Sequence, residues 1–390
     1  MTKVRSLVVL EGLEERMVVN YAAMREHDIE VEFAGTMSRQ GYAVMDATDD
    51  RTVLRRIPGA RGGNPFSRRL RRAIDRRIDP DYAFGLRGLV EDVDVVVVNE
   101  SHLASSAQVA QLRSAGGSFQ MVVTQSENIA FNYDNEHRAA TRKAAVHAAA
   151  DLFLARTPRT AEALQLEGVP ADRIVVQPFG VDTSRFDRVS PRLDLRQSWK
   201  ANEGDVVFVY LGRLLPEKGL VPLLSALARA RPDTGRARLA MVGSGGAERQ
   251  LRRAVSALGL DDIVTFTPWV AKEDVPAVLA SADVLAMPSL PTPYWEEQLG
   301  YVLIEAMAAG LPILSTLSGS MPFVVSDAGL LVEPYDVDAL ARAIRQLASD
   351  STLRHTLGER GRSRARSDFD LARVGEGLAS ALRSQLVRST

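Results

Sequence analysis

The sequence predicts an α/β protein built from two Rossmann-like, doubly wound parallel-sheet domains facing a cleft. Short β-branched runs alternate with longer helical patterns from one end of the chain to the other, as open parallel sheets with crossover helices require. The alternation is made twice, once in each half. At 390 residues the chain also exceeds one ordinary hydrophobic core, since domains run to roughly 100 to 200 residues.

Taken in order, the first half offers strands near Ser6–Leu10, Ile29–Ala34, Val93–Val98, Phe119–Thr124, Leu152–Ala155 and Ile174–Gln177. The second half offers Val206–Leu211, Leu239–Val242, Ile263–Phe266, Val284–Met287, Pro312–Ser315 and Gly329–Val332. Each is a nearly unbroken apolar run, the pattern of a strand covered on both faces. The join falls between Phe179-Gly180-Val181-Asp182 and Trp199, a polar stretch containing Ser190-Pro191, which gives domains 1–185 and 186–366. Ligands of such sheets bind beyond the carboxyl ends of the strands, so the loops there are where chemistry is expected.

Composition narrows that chemistry. No cysteine is present, which excludes a disulfide framework, a thiolate zinc site and a cysteine nucleophile. A formal charge of −1 argues against a general attraction to nucleic acid. No run approaches the roughly 18 apolar residues of a membrane span, and the N-terminus meets Glu11, Glu14 and Glu15 too soon for a secretory signal, so a cytoplasmic location is expected. Residues 51–77 are strongly basic, and Phe66, Leu70, Ile74 and Ile78 repeat through them at helical spacing. A solvated face, an anionic acceptor site and a peripheral membrane contact all remain open for this stretch. Only five of the 48 basic residues in the chain are lysine, which reduces the weight an arginine cluster carries.

The strongest motif runs from Pro293 to Pro312: a loop, an apolar helix, a glycine stop and a proline opening the next strand. A buried carboxylate without a donor costs several kcal/mol, so Glu305, in the middle of that helix, needs a partner, which sugar hydroxyls or a structural arginine would supply. Glu297 lies before the helix, and the first-turn amides at Gly300, Tyr301 and Val302 form an anion seat between the two carboxylates. Val206–Leu211 is followed by Gly212-Arg213 and then Glu217-Lys218-Gly219, two cations that would neutralise a diphosphate leaving group or else belong to an ordinary solvated turn with a helix-entry proline. Between these motifs, the turn Val242-Gly243-Ser244-Gly245 and the segment Thr265 to Val270 offer backbone against which a base or phosphate can lie.

The order Gly-Arg…Glu-Lys-Gly, then Val-Gly-Ser-Gly, then Glu297 and Glu305 within Glu-Gln-Leu-Gly-Tyr-Val-Leu-Ile-Glu-Ala-Met-Ala-Ala-Gly-Leu-Pro, resembles the retaining glycosyltransferases of family 4, which have the GT-B fold. Ala282-Asp283-Val284-Leu285, Asp327-Ala328-Gly329-Leu330-Leu331-Val332 and the approach through Gly168-Val169-Pro170 to Phe179-Gly180-Val181-Asp182 are similar too. The resemblance is good over residues 145–350 and extends to the N-terminus only in general plan. It implies transfer of a sugar from a UDP- or GDP-linked donor, with no cofactor and no metal, to a small-molecule, saccharide or lipid-linked acceptor. Arg213 and Lys218 would hold the diphosphate, Glu305 the ribose hydroxyls and Glu297 the transferred sugar. The amides of Gly300, Tyr301 and Val302 would assist, and Gly212, Gly243, Trp269 and Val270 would surround the nucleoside. Retention in this family is explained by front-face attack, so no protein nucleophile is required. The last helix, 367–390, would cross back onto the first domain.

The acceptor is expected on the first domain. Glu127 and Asn128 follow one strand and His102 another; Glu127, near a position where relatives carry a histidine or an acid, is the candidate for orienting or deprotonating the acceptor. Where the family often has a glycine-rich loop after its first strand, this chain has Glu11-Gly12-Leu13-Glu14-Glu15, leaving Gly12 as the acceptor-side candidate there. Phe323 also stands where the family commonly has glutamate. The other histidines show no ligand spacing. Asp92-Val93-Asp94 precedes its strand and Asp336-Val337-Asp338 reads as a helix start, so neither is a metal motif. A nucleotide-sugar epimerase of the same architecture, and a nucleotide-binding scaffold subunit without turnover, are the competing readings. A dinucleotide-dependent dehydrogenase is weaker, because Gly-x-Gly-x-x-Gly is missing from the first strand.

Overall fold

Six short apolar runs of the first half, joined by Leu54–Arg56, and six of the second become parallel strands in the computed structural model, which describes residues 3–11, 15–36, 54–56, 85–136, 138–187 and 189–388. In the first sheet these are β1 (Val4–Glu11), β2 (Ile29–Thr36), β3 (Leu54–Arg56), β4 (Val95–Asn99), β5 (Gln120–Gln125), β6 (Leu152–Ala155) and β7 (Ile174–Val176). The second holds β8 (Val206–Leu211), β9 (Ala237–Val242), β10 (Val264–Thr267), β11 (Val284–Met287), β12 (Ile313–Thr316) and β13 (Gly329–Val332). All twelve expected strands are present, with ends moved by a few residues; the strand expected from Val93 starts at Val95, and the Asp94 carboxylate before it accepts the amide of Arg5 at 2.7 Å. β3 was not expected. It pairs in parallel with Phe33–Gly35 of β2 along its whole length, Leu54–Arg56, inside the basic stretch. Phe66, Leu70, Ile74 and Ile78, with the helix expected on them, lie outside the described residues, as does Gly12.

The strand orders are β3-β2-β1-β4-β5-β6-β7 and β10-β9-β8-β11-β12-β13. Both sheets therefore reverse direction once, between β1 and β4 in the first and between β8 and β11 in the second. Such a switch point splits the loops at the carboxyl ends of two neighbouring strands and opens a crevice there. The chain divides into two compact units, residues 1–179 with 371–390, and residues 180–370. The first boundary thus follows Phe179 rather than residue 185, and the second precedes Leu371 rather than residue 367. The closing helix Leu371–Arg388 belongs to the first unit: a Cβ on its Gly375 would stand 2.7 Å from the carbonyl of Ala23, and one on Gly377 would strike the Gln177 side chain.

Each unit has its own core. In the first, Leu7, Val9, Val96, Val98, Met121, Val123 and Phe153 are fully buried, as strands covered on both faces must be. In the second, Val207, Val209, Ala240, Val242, Leu285, Ile313 and Leu314 are equally buried. Each such side chain contributes about 1.5–3 kcal/mol over remaining exposed. Among the described residues no helix is long and apolar enough to cross a membrane.

Candidate active site

The second unit's switch point collects most of the motif residues. β8 is buried along its whole length and ends at Leu211, and the chain leaves the sheet at Gly212. The amide of Gly212 donates to Val242 and that of Leu214 to Ser244, which lock the loop to the end of β9. Gly243 makes this register achievable: its φ is +139°, and a Cβ there would lie 1.9 Å from the carbonyl oxygen of Gly212. From Leu214 the chain turns through the short 3-10 segment Pro216–Lys218 and enters the helix Leu220–Ala230 through Gly219.

Gly219 brings the second loop in. Its φ is +69°, and a Cβ would lie 1.9 Å from the carbonyl oxygen of Pro288, just past β11. The amide of Leu290 donates to the carbonyl of Glu217 at 2.8 Å. These two backbone contacts bind the turn after β8 to the loop after β11. Across them the ammonium of Lys218 meets the carboxylate of Glu297 at 2.7 Å, and the Ser289 hydroxyl donates to the same Oε2 at 3.0 Å. Lys218 is buried rather than a solvated turn lysine, at 8% exposure. Its ammonium also lies 4.4 Å from the centre of the Trp295 ring. Tyr210, beneath this cluster, donates its hydroxyl to the carbonyl of Arg213 at 2.6 Å. Burial, reinforced by the negative charge of Glu297, pushes the Tyr210 phenol well above its ordinary range, so it remains a donor.

Arg213 itself is exposed and forms no ion pair with a described residue. The helix Tyr301–Ala309 is the crossover between β11 and β12, so its first turn lies at the same end of the sheet. It opens on Gly300 (φ +65°), which brings no side-chain cap to the amides that follow; Tyr301 and Val302 are half-buried. Glu305 comes one turn later and is buried at 6% exposure. On the other side of β8, the amide of Gly243 donates to the carbonyl of Thr267, placing that turn beside the segment carrying exposed Trp269 and half-buried Val270. The motif residues therefore share the carboxyl end of one sheet. Direct contact is made between Lys218 and Glu297.

The first unit carries the acceptor-side candidates, at the carboxyl ends of β4 and β5. Glu100 sits at φ +52° and its carboxylate accepts the amides of Ser126 (2.9 Å) and Glu127 (3.4 Å). Glu127 is buried and accepts the amides of Asn128 (3.0 Å) and Ile129 (2.9 Å); Asn128 is buried with it. Burial raises the carboxyl of Glu127 above the usual range against the pull of those hydrogen bonds, and the charge of Glu100 adds to the rise. His102 stacks on Tyr133 with ring centres 4.4 Å apart. Burial lowers the imidazole of His102 below its ordinary value, with Glu100 and Glu136 opposing. The phenol of Tyr133 is raised, chiefly by burial and then by the charges of Glu127 and Glu100. Glu100 and Tyr133 were not singled out in the sequence. Glu100 stands two residues before His102 with no signal of its own, and nothing in the sequence signals the left-handed backbone at Tyr133 (φ +66°). Among the described residues no group of three or more histidines, aspartates or glutamates is arranged to hold a metal ion.

Two family descriptions match the chain: "Glycosyl transferases group 1" over residues 191–364, and "Glycosyltransferase Family 4" over residues 17–185. A GDP-mannose-dependent alpha-(1-6)-phosphatidylinositol monomannoside mannosyltransferase of Mycolicibacterium smegmatis is 32% identical over 313 residues, covering 78% of this chain and 80% of that protein. The protein of the same description in Mycobacterium tuberculosis (strain CDC 1551 / Oshkosh) is 37% identical over 220 residues, covering 55% of this chain and 57% of its own length. Among solved structures, Anabaena HepE in complex with UDP superposes with a TM-score of 0.78 at 18% identity, covering 98% of this chain and 100% of that one.

Proposed function

The chain belongs to the group 1, family 4 glycosyltransferases of GT-B fold, and from that premise we propose that it transfers a mannosyl or related hexosyl group from a GDP-linked donor, without a metal and with retention of anomeric configuration. The observation that carries the site assignment is the buried Lys218–Glu297 pair at the switch point of the second sheet, in the loops where such sheets bind ligands. The donor's identity rests on the relatives, which are described as GDP-mannose-dependent.

In this reading the guanosine lies along Gly243, Trp269 and Val270, and Glu305 accepts from the ribose hydroxyls. The diphosphate meets the first-turn amides at Gly300, Tyr301 and Val302. An ammonium has three donors, so Lys218 can give one to Glu297 and still offer another to a phosphate oxygen. As the bond from the anomeric carbon to the phosphate oxygen breaks, negative charge grows on the diphosphate, where Lys218 and Arg213 stabilise it. The acceptor hydroxyl attacks from the same face and passes its proton to the departing phosphate oxygen. Glu297 holds the transferred sugar through its hydroxyls. On the first unit, Glu127, Asn128 and His102 orient the acceptor, whose class is a lipid-linked or saccharide hydroxyl by analogy with the relatives.

The test is incubation with GDP-mannose and, separately, UDP-glucose, each with and without chelator, against lipid and saccharide acceptors, with the product's anomeric linkage read by NMR. Chelator-resistant formation of an α-linked product from GDP-mannose is expected. A β-linked product or strict dependence on a divalent ion would overturn the mechanism. Consumption of UDP-glucose alone would overturn the donor.

A further inference from the structure

Trp295 stands outside the motif that the family resemblance supplies, yet its indole is one of the closest neighbours of the Lys218 ammonium. We infer that Trp295 is a positioning residue for donor binding: it holds the Lys218 ammonium at the diphosphate position and does so through its π face. The inference rests on the donor-site assignment above.

Four observations carry it. The Lys218 ammonium lies 4.4 Å from the ring centre, well inside the roughly 6 Å over which an aromatic face attracts a cation. Lys218 is buried, so its charge is largely out of water, where that attraction is strongest. The indole is delivered by a built loop: Thr292 and Trp295 pair as an antiparallel bridge, with the Thr292 amide donating to the Trp295 carbonyl at 2.8 Å. The same loop is pinned to the lysine's own turn by the Leu290–Glu217 hydrogen bond and the Gly219–Pro288 approach, and on its far side the Tyr335 hydroxyl donates to Pro291 at 3.0 Å. A lysine side chain is flexible, with four rotatable carbons, and a single ion pair fixes its end only loosely. Glu297 on one side and the indole on another fix the ammonium while leaving N–H donors for an incoming phosphate. A π face suits that task because it attracts the cation without using up a hydrogen-bond donor.

The test compares nucleotide affinities by calorimetry in the full chain for wild type, Trp295→Leu and Trp295→Phe, each also in a Lys218→Ala background. GDP and GMP are the probes, with UDP and UMP in parallel. Trp295→Leu is expected to weaken the diphosphate roughly five- to tenfold, the range a desolvated cation–π contact supports, and the monophosphate much less. Trp295→Phe should restore most of the loss, since a phenyl ring keeps the π face. In the Lys218→Ala background Trp295→Leu should add little, because the two residues act as one unit. Equal losses for diphosphate and monophosphate, failure of phenylalanine to rescue, or the same loss without Lys218 would overturn the role of Trp295 while leaving the donor site standing. If neither GDP nor UDP binds the wild type, the donor-site assignment falls and the inference with it.

Discussion

Lys218→Met removes the cation from an ion pair whose side chains are 11% and 13% exposed, while the Ser289 hydroxyl still donates to Glu297. Breaking a buried pair from one side costs about 3–5 kcal/mol. Residual solvent contact and the bond from Ser289 bring this one to or below the bottom of that range, about 2–3 kcal/mol. For a unit of this size that corresponds to a midpoint lowered by about 4–12 °C. Removing both charges is a different matter: Lys218→Met with Glu297→Leu leaves no stranded carboxylate and should cost about 1 kcal/mol or less. The assay is favoured by the sequence, since Trp199, Trp269 and Trp295 are the only tryptophans and all lie in the second unit, so indole fluorescence follows its unfolding alone. Trp199, at 1% exposure, is the core reporter. A single variant within about 0.5 kcal/mol of wild type, the range of ordinary surface substitutions, would refute the reasoning, as would a double variant no better than the single one.

Other expectations follow from the same geometry. Gly219→Ala must accommodate a Cβ 1.9 Å from the Pro288 carbonyl oxygen at a φ of +69°, which should cost about 2–4 kcal/mol and abolish nucleotide binding by displacing the turn of Lys218; an unaltered fluorescence melt would contradict it. Because the carboxyl of Glu127 is raised in the folded state, wild type should lose stability as pH rises from the ordinary carboxylate value through the raised one. Glu127→Gln escapes that loss, so by circular dichroism its melting temperature should gain on wild type from about pH 4 towards neutrality; a constant difference would contradict the shift. The imidazole of His102 is lowered, so stability should fall as pH drops from about 6.5 towards the lowered value, and its NMR titration midpoint should lie below that of a free histidine; a midpoint at or above the ordinary value would refute the burial argument.

Much of this architecture was legible because parallel strands covered on both faces leave unbroken apolar runs, as residues 95–98 and Val206–Leu211 do. β3 was not, since Leu54-Arg55-Arg56 has two arginines in three residues and makes no apolar run. The residues proposed for the donor could be named as types: a cation pair after one strand, and two glutamates, one before a helix and one within it. Their mutual contacts were not legible. That Lys218 meets Glu297 depends on Gly219 lying against Pro288, and that Trp295 lies over Lys218 depends on a bridge within its own loop. On the acceptor side, Glu127 and His102 could be named from their places after strands, but Tyr133, whose ring stacks on His102, has a left-handed backbone that its residue type disfavours.

The central claim is that the second unit binds a nucleoside diphosphate through Lys218, Arg213 and Glu305 without a metal. Its most direct test is calorimetric titration of GDP and UDP, each with and without chelator, into wild type and Glu305→Ala. Binding of GDP that is unchanged by chelator and weakened at least tenfold by the substitution is the expected result. Absence of binding by either nucleotide, or binding that the substitution leaves intact, would contradict it.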